Sequence, residues 1–187
     1  MVEKKKAAEK KKQKRAVINA AAYIGFLLLA IVFLLRFVGQ RTTVQGVSME
    51  PALSQGDQIL VDKLTYRLEE PERFDIIVFH KDDERFRYIK RVIALPGERI
   101  RISVEGEIFV NDELLEEYYG REEMNYRGLA VMELVLGEDE YFVLGDNRNE
   151  SEDSRYETVG MVKREEIIGK AAFRIFPLNA FGSLKNQ

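Results

Sequence analysis

Cysteine is absent from this chain, and histidine occurs once, as His80. The first absence removes cysteine nucleophiles, disulfides and thiolate metal sites together, and is compatible with a protein placed outside the cytoplasm that does without disulfides. The second leaves a single candidate for any triad built on imidazole. His80 closes an apolar run, Ile76 to Phe79, and opens the charged turn Lys81-Asp82-Asp83-Glu84, so it reads as a surface residue. Charge of one sign is also scarce locally. Ala16 to Leu35 carries no charged residue at all.

What is present fills in around these gaps. With 187 residues, 45% hydrophobic and 33% charged, the chain suits one globular domain plus a modest extra element. Residues 1–15 hold eight lysines and arginines against two glutamates, while the whole chain is at −3, so a basic tail precedes an acidic body. A basic tail could address nucleic acid, but the uncharged run behind it points to a bilayer instead. Twenty helical residues rise about 30 Å, the thickness of the hydrocarbon core. The run exceeds the apolar region of a cleaved leader, and Arg36-Phe37-Val38-Gly39-Gln40-Arg41 offers no small-x-small cleavage site. A buried core helix would show polar residues at helical spacing, and only Asn19 interrupts. The organisation expected is therefore a cytoplasmic basic tail (1–15), an uncleaved single-pass anchor (16–38) and an outer domain (39–187), oriented by the positive-inside bias.

The outer domain alternates short extended runs with turn signals. Gln58–Val61, Phe74–Phe79, Phe86–Ala94 and Lys170–Phe176 read as strands. Arg99–Val104 and Glu107–Val110 flank Glu105-Gly106 at hairpin spacing, with a further turn at Asn111-Asp112. Ala130–Leu136 and Tyr141–Leu144 read as another pair, joined at Gly137-Glu138-Asp139. Lys163–Ile168 suggests a short helix, and the polar, tyrosine-bearing loop from Leu115 to Gly128 is expected to be mobile. The fold class expected is mainly β: a twisted antiparallel sheet, sandwich or barrel-like, behind a single transmembrane helix.

Two residues carry the chemistry. Ser48 sits in Gly46-Val47-Ser48-Met49-Glu50-Pro51-Ala52-Leu53. A serine there is either the N-cap of a short helix or a nucleophile. Lys90 lies in Tyr88-Ile89-Lys90-Arg91-Val92-Ile93-Ala94-Leu95-Pro96-Gly97-Glu98, among apolar neighbours. It is either an outward-facing lysine on a half-buried strand or a base. A lysine with its reference pKa is only about 0.04% neutral at pH 7, so a base needs desolvation to lower that pKa. A third segment is Gly145-Asp146-Asn147-Arg148-Asn149-Glu150-Ser151-Glu152-Asp153-Ser154-Arg155. Asp146 to Glu157 is acidic like a Ca²⁺ loop, but Ser151 occupies the sixth position where such a loop needs glycine, so no metal or cofactor is expected.

These three segments, in this order behind an anchor, resemble the type I signal peptidases, membrane-anchored Ser/Lys proteases. The family's patterns are Ser-Met-x-Pro-Thr-Leu, Tyr-x-Lys-Arg-Val-x-Gly-x-Pro-Gly-Asp and Gly-Asp-Asn-Arg-x-x-Ser-x-Asp-Ser-Arg, and Gly169 to Leu178 looks like its closing strand. The resemblance covers about Thr43 to Gly182. It implies Ser48 as nucleophile, Lys90 as general base and Ser151 as the residue orienting the amine. It implies Asp153 and Arg155 as an ion pair bracing the loop, and Asp146, Asn147 and Arg148 as its supports. For Arg91 an ordinary surface position is as good a reading. Met49, Leu53, Tyr88 and Ile89 are candidates for shallow apolar substrate pockets, or plain core. The implied substrates are signal peptides of exported preproteins, cut after Ala-x-Ala at the outer membrane face, near the export channel and in contact with the bilayer. Ala52, Ala94 and Glu98 depart from the family's Thr, Gly and Asp, and Gly46 lacks the hydroxyl that some members place there as a second oxyanion donor. Two other readings compete: a self-cleaving repressor-type Ser/Lys protease, which would carry a DNA-binding helical domain, and a non-catalytic anchored binding module, which would need Lys90 exposed.

Overall fold

The structure is a computed structural model that describes residues 2–37, 39–81, 86–120 and 122–184. The chain divides into two compact units, residues 1–38 and 39–187. The first is one helix, α1 (Val2–Phe37). Its stretch Lys14–Val32 has a mean hydropathy of 2.0 and none of it is buried in the protein, so among the described residues one helix is long and apolar enough to cross a bilayer. The last position of the expected anchor, 38, and the acidic turn at 82–84 lie outside the described residues.

Among its described residues the second unit has twelve strands: β1 (Gly39–Thr43), β2 (Gln58–Asp62), β3 (Ile76–Phe79), β4 (Tyr88–Ala94), β5 (Arg99–Ile102), β6 (Ile108–Val110), β7 (Glu113–Leu114), β8 (Leu134–Val135), β9 (Glu140–Leu144), β10 (Val162–Lys163), β11 (Ile167–Phe176) and β12 (Gly182–Ser183). A short helix, α2 (Thr65–Leu68), follows β2. The larger sheet is antiparallel and runs β1-β2-β11-β3-β4-β9-β10, with β12 also paired to β11. The smaller runs β7-β6-β5-β8. A mainly β architecture with a curled antiparallel sheet is thus what the turn-punctuated apolar runs specify.

The central strands β3 and β4 are β-branched or aromatic at most positions, and nearly every residue in them is buried. Three apolar clusters cover them. Ile93, Ile100, Phe142 and Leu144 pack beneath the small sheet, Met49, Leu53, Ile59, Val78 and Ile89 form a second cluster, and Ile77, Phe79, Val92 and Val143 a third. Burying such side chains contributes about 1.5–3 kcal/mol each before entropy is charged. The register opposes Ile77 to Lys90 and Ile76 to Arg91. Successive strand residues face opposite sides, so Lys90 and Arg91 are delivered to different partners.

Several boundaries differ from the sequence reading. Ala130 lies in a 3-10 turn (Gly128–Val131), and the residues that do extend, Leu134–Val135, pair with β5 rather than with β9. Strand β9 instead sits between β4 and β10. Gly137 to Asp139 therefore links two sheets, because the apolar faces of β8 and β9 are claimed by different neighbours. The helix read at Lys163–Ile168 is one 3-10 turn, Arg164–Glu166, after which Ile167 already enters β11. Pairing of β11 with both β2 and β3 outweighs local helix preference there. The described residues of the loop between Leu115 and Gly128 have no regular structure up to its final residue, yet they are fastened: Met124 is buried in the first cluster, and Glu117, Tyr119 and Asn125 make the contacts described below.

Candidate active site

Ser48 lies in a tight turn, not at a helix N-terminus. Glu50 N–H donates to Val47 O at 3.1 Å and Leu53 N–H to Met49 O at 2.8 Å, and Gly46 enters the turn with φ +80°, which only glycine adopts without strain. The hydroxyl of Ser48 is consequently free of capping duty. Its Oγ lies 2.9 Å from Lys90 Nζ. Strand β4 holds Lys90 at 4% exposure, beside the turn.

Desolvation lowers the Lys90 amine from 10.5 to about 8, with Arg155 adding to the fall, while Asp153, Glu152 and Asp146 hold it up. A serine hydroxyl beside an amine that sheds its proton near neutrality is an arrangement able to transfer a proton from oxygen to nitrogen. Both atoms face an open cleft of about 770 Å³ lined by the segment Arg41–Met49, by Phe86–Lys90, and by Glu150 and Glu152.

The third sequence segment forms the floor of this site. Asn147 grips the Ser48 turn twice: its N–H donates to Ser48 O at 3.0 Å and its Nδ2 to Val47 O at 3.2 Å. Gly145 passes so close that a Cβ would run into both the Ser48 carbonyl oxygen and Ser151 Oγ. Ser151, itself buried, donates from its hydroxyl to Asp153 Oδ2 at 2.7 Å. Asp153 is wholly buried and also accepts from Gly145 N–H at 3.1 Å and from Arg155 Nε at 2.8 Å. Arg148 Nε donates to Gly145 O at 2.9 Å. Asp146 takes both arms of Arg91, at 2.8 and 2.7 Å, with each side chain 1% exposed. Arg91 is thus no surface residue. Charges this deep persist because they are paired and bidentate.

The candidate substrate residues separate. Met49, Tyr88 and Ile89 line the cleft, Met49 and Ile89 doubling as core. Leu53 is fully buried in that core and is not among the described lining residues, since the turn directs it inward. His80 is half-buried at the far end of β3, three residues beyond the position opposite Lys90, with Nδ1 3.3 Å from Lys81 O.

The departures from the family pattern are accommodated locally. Glu98 takes Leu95 N–H at 2.7 Å and pairs with Arg73 at 2.6 Å, bracing the turn after β4. Ala94 is wholly buried, and the Ala52 carbonyl accepts from Arg174. Sequence reasoning did not single out Glu117 or Tyr119. They lie in an irregular loop with no periodicity to mark them, yet Glu117 meets Arg148 at 2.6 Å and Tyr119 stacks 3.7 Å from the Arg91 guanidinium.

A family model described as "Signal peptidase, peptidase S26" matches residues 17–176, most of the chain. The probable signal peptidase I-2 of Synechocystis sp. is 38% identical over 157 residues, covering 81% of this chain and 69% of the relative. The signal peptidase I of Bacillus caldolyticus is 39% identical over 168 residues, covering 83% and 90%. Among solved structures, a signal peptidase I from Enterococcus faecalis V583 is 36% identical and aligns with 55% of this chain and 97% of its own, at a TM-score of 0.44. The chain belongs to the signal peptidase family, peptidase S26, and is a serine peptidase.

Proposed function

We propose that this chain removes signal peptides from exported preproteins with Ser48 as nucleophile and Lys90 as general base. The single observation that carries this is the 2.9 Å approach of Ser48 Oγ to a lysine amine whose pKa burial lowers to about 8. The neutral amine accepts the Ser48 proton as Oγ attacks the scissile carbonyl. The ammonium so formed returns that proton to the departing amine, leaving an acyl-enzyme. Water then repeats the sequence, with Lys90 again taking the proton. Ser48 N–H is the donor for the developing oxyanion, and Gly46 adds no hydroxyl to it.

Met49, Tyr88 and Ile89 bound the cleft with apolar surface beside the nucleophile, suited to small side chains of the Ala-x-Ala type. An extended substrate lying along β1, at the edge of the large sheet, would gain its register from main-chain hydrogen bonds. The basic tail and uncharged helix favour a single pass with the N-terminus cytoplasmic and the catalytic unit outside. A preprotein with its own apolar signal segment in the same bilayer, close to the export channel, is the substrate this organisation suits.

The test is cleavage of an exported precursor by the detergent-solubilised full chain. Ser48→Ala and Lys90→Ala each abolish processing, while His80→Ala leaves it intact. Processing by either of the first two removes the dyad. A binding module without catalysis is disfavoured by the burial of Lys90, which such a role would leave in solvent.

A further inference from the structure

The loop from Leu115 to Gly128 is attached to the catalytic segment 145–155 at successive points. Glu117 binds the Arg148 guanidinium through both carboxylate oxygens, at 2.7 and 2.6 Å, with Arg148 3% and Glu117 14% exposed. Two residues on, the Tyr119 ring lies 3.7 Å from the Arg91 guanidinium and 5.1 Å from the ring of Phe74. Asn125 N–H donates to Asn149 Oδ1 at 3.0 Å, and the carbonyl of Tyr126 accepts from Arg155 at 2.8 Å. The loop therefore touches the arginines on either side of the dyad and the segment that floors it.

From Glu117 the contacts run directly to the nucleophile. Glu117 fixes the plane of Arg148, whose Nε holds the Gly145 carbonyl. Gly145 in turn packs against the Ser48 carbonyl oxygen and Ser151 Oγ with no room for a side chain. On the other side, Tyr119 covers one face of Arg91, whose Nε and Nη2 edge is committed to Asp146, the residue next to Gly145. A guanidinium held at one end only can swing. One held by a carboxylate and capped by a ring cannot.

We propose that Glu117 and Tyr119 are positioning residues for the peptidase reaction, clamping Arg148 and Arg91 so that Gly145 and Asn147 hold Ser48 at attacking distance from Lys90. The inference rests on the Ser48/Lys90 reading of the site. It differs from a merely structural strap in what it demands of the kinetics: the rate of the chemical step depends on the clamp, and substrate binding does not, because neither residue lines the cleft among the described residues. Small misplacements of a reacting group cost up to about a hundredfold in rate.

The experiment measures kcat and KM of the full chain in detergent on a fluorogenic peptide carrying a signal-peptide cleavage site, with thermal melting alongside. Glu117→Ala and Tyr119→Ala each lower kcat about ten- to hundredfold and leave KM within about twofold. Tyr119→Phe, which keeps the ring, recovers most of the rate. Glu117→Gln, which keeps one hydrogen bond but no charge, falls between. Tyr118→Ala, at a side chain that is 91% exposed, serves as the control and behaves as the parent. Should an alanine variant fail to fold, Glu117→Gln and Tyr119→Leu, which keeps bulk but removes the ring over Arg91, still decide: each lowers kcat with KM unchanged, and a parental kcat in both overturns the proposal. Unchanged kcat with a lowered melting temperature, or a raised KM with kcat intact, overturns the proposal. Cleavage by Ser48→Ala in the same assay sinks the underlying dyad, whatever the loop variants do.

Discussion

If Lys90 is the base, acylation must follow the neutral fraction of one buried amine. With that amine lowered to about 8, roughly one-tenth of the molecules are competent at pH 7, half at pH 8 and nine-tenths at pH 9. The single-turnover acylation rate should therefore climb about tenfold between pH 7 and 9 and then level. A lysine at its ordinary 10.5 would give about a hundredfold rise over the same interval with no plateau. The assay is rapid-quench cleavage of a labelled precursor across pH 6 to 10, with enzyme in excess. Glu152→Gln is the sharper perturbation. Glu152 is exposed at the cleft rim and its charge holds the amine up. Removing it disfavours the ammonium, so the midpoint moves down by a few tenths of a pH unit and the rate at pH 7 rises, an effect that shrinks in high salt. Stability reports the same group independently. The folded chain holds Lys90 neutral where the unfolded chain would protonate it, so between about pH 8 and 10.5 the unfolded state binds more protons and stability rises with pH. At about 1.4 kcal/mol per pKa unit the span is about 3 kcal/mol, lost progressively as pH falls from 10.5 to 8, and Lys90→Met should erase it. A flat acylation profile, or a midpoint above pH 9.5, refutes a desolvated lysine base.

Two further outcomes follow from the supporting network. Arg91→Leu leaves the Asp146 carboxylate buried without its bidentate partner, and should cost about 3–5 kcal/mol by urea unfolding. A loss under 1 kcal/mol would mean that water reaches Asp146. Gly145→Ala forces a methyl into the space held by the Ser48 carbonyl and Ser151 Oγ. It should lower kcat about a hundredfold while costing no more than about 3 kcal/mol of stability. A near-parental rate would show that the turn has slack that the packing denies.

Much of this protein is written locally. The uncharged run is long enough and apolar enough to specify one helix without help from elsewhere, and its length is that of a bilayer's hydrocarbon core. The strands β2, β3, β4, β9 and β11 are legible because β-branched residues cluster between turn residues. The hairpin at Glu105-Gly106 is legible because Gly106 takes φ +83°. Ser48 and Lys90 stand out only when matched motifs in fixed order replace two ambiguous single residues.

The partners of each group were beyond local reading. Whether Ser48 caps a helix or faces an amine depends on β4 arriving beside residues 46–53, across 42 positions of sequence. Whether Leu134–Val135 pairs forward with β9 or back with β5 depends on which sheet has an open edge. Whether Arg91 is solvated or buried depends on Asp146, 55 residues away, and on Tyr119 from a loop without pattern. The segment sequences thus determined the helix, the strand-forming runs and the chemical types available. Tertiary packing alone decided that Lys90 is dry, because desolvation is a property of the space around a side chain, and that space is made by distant residues.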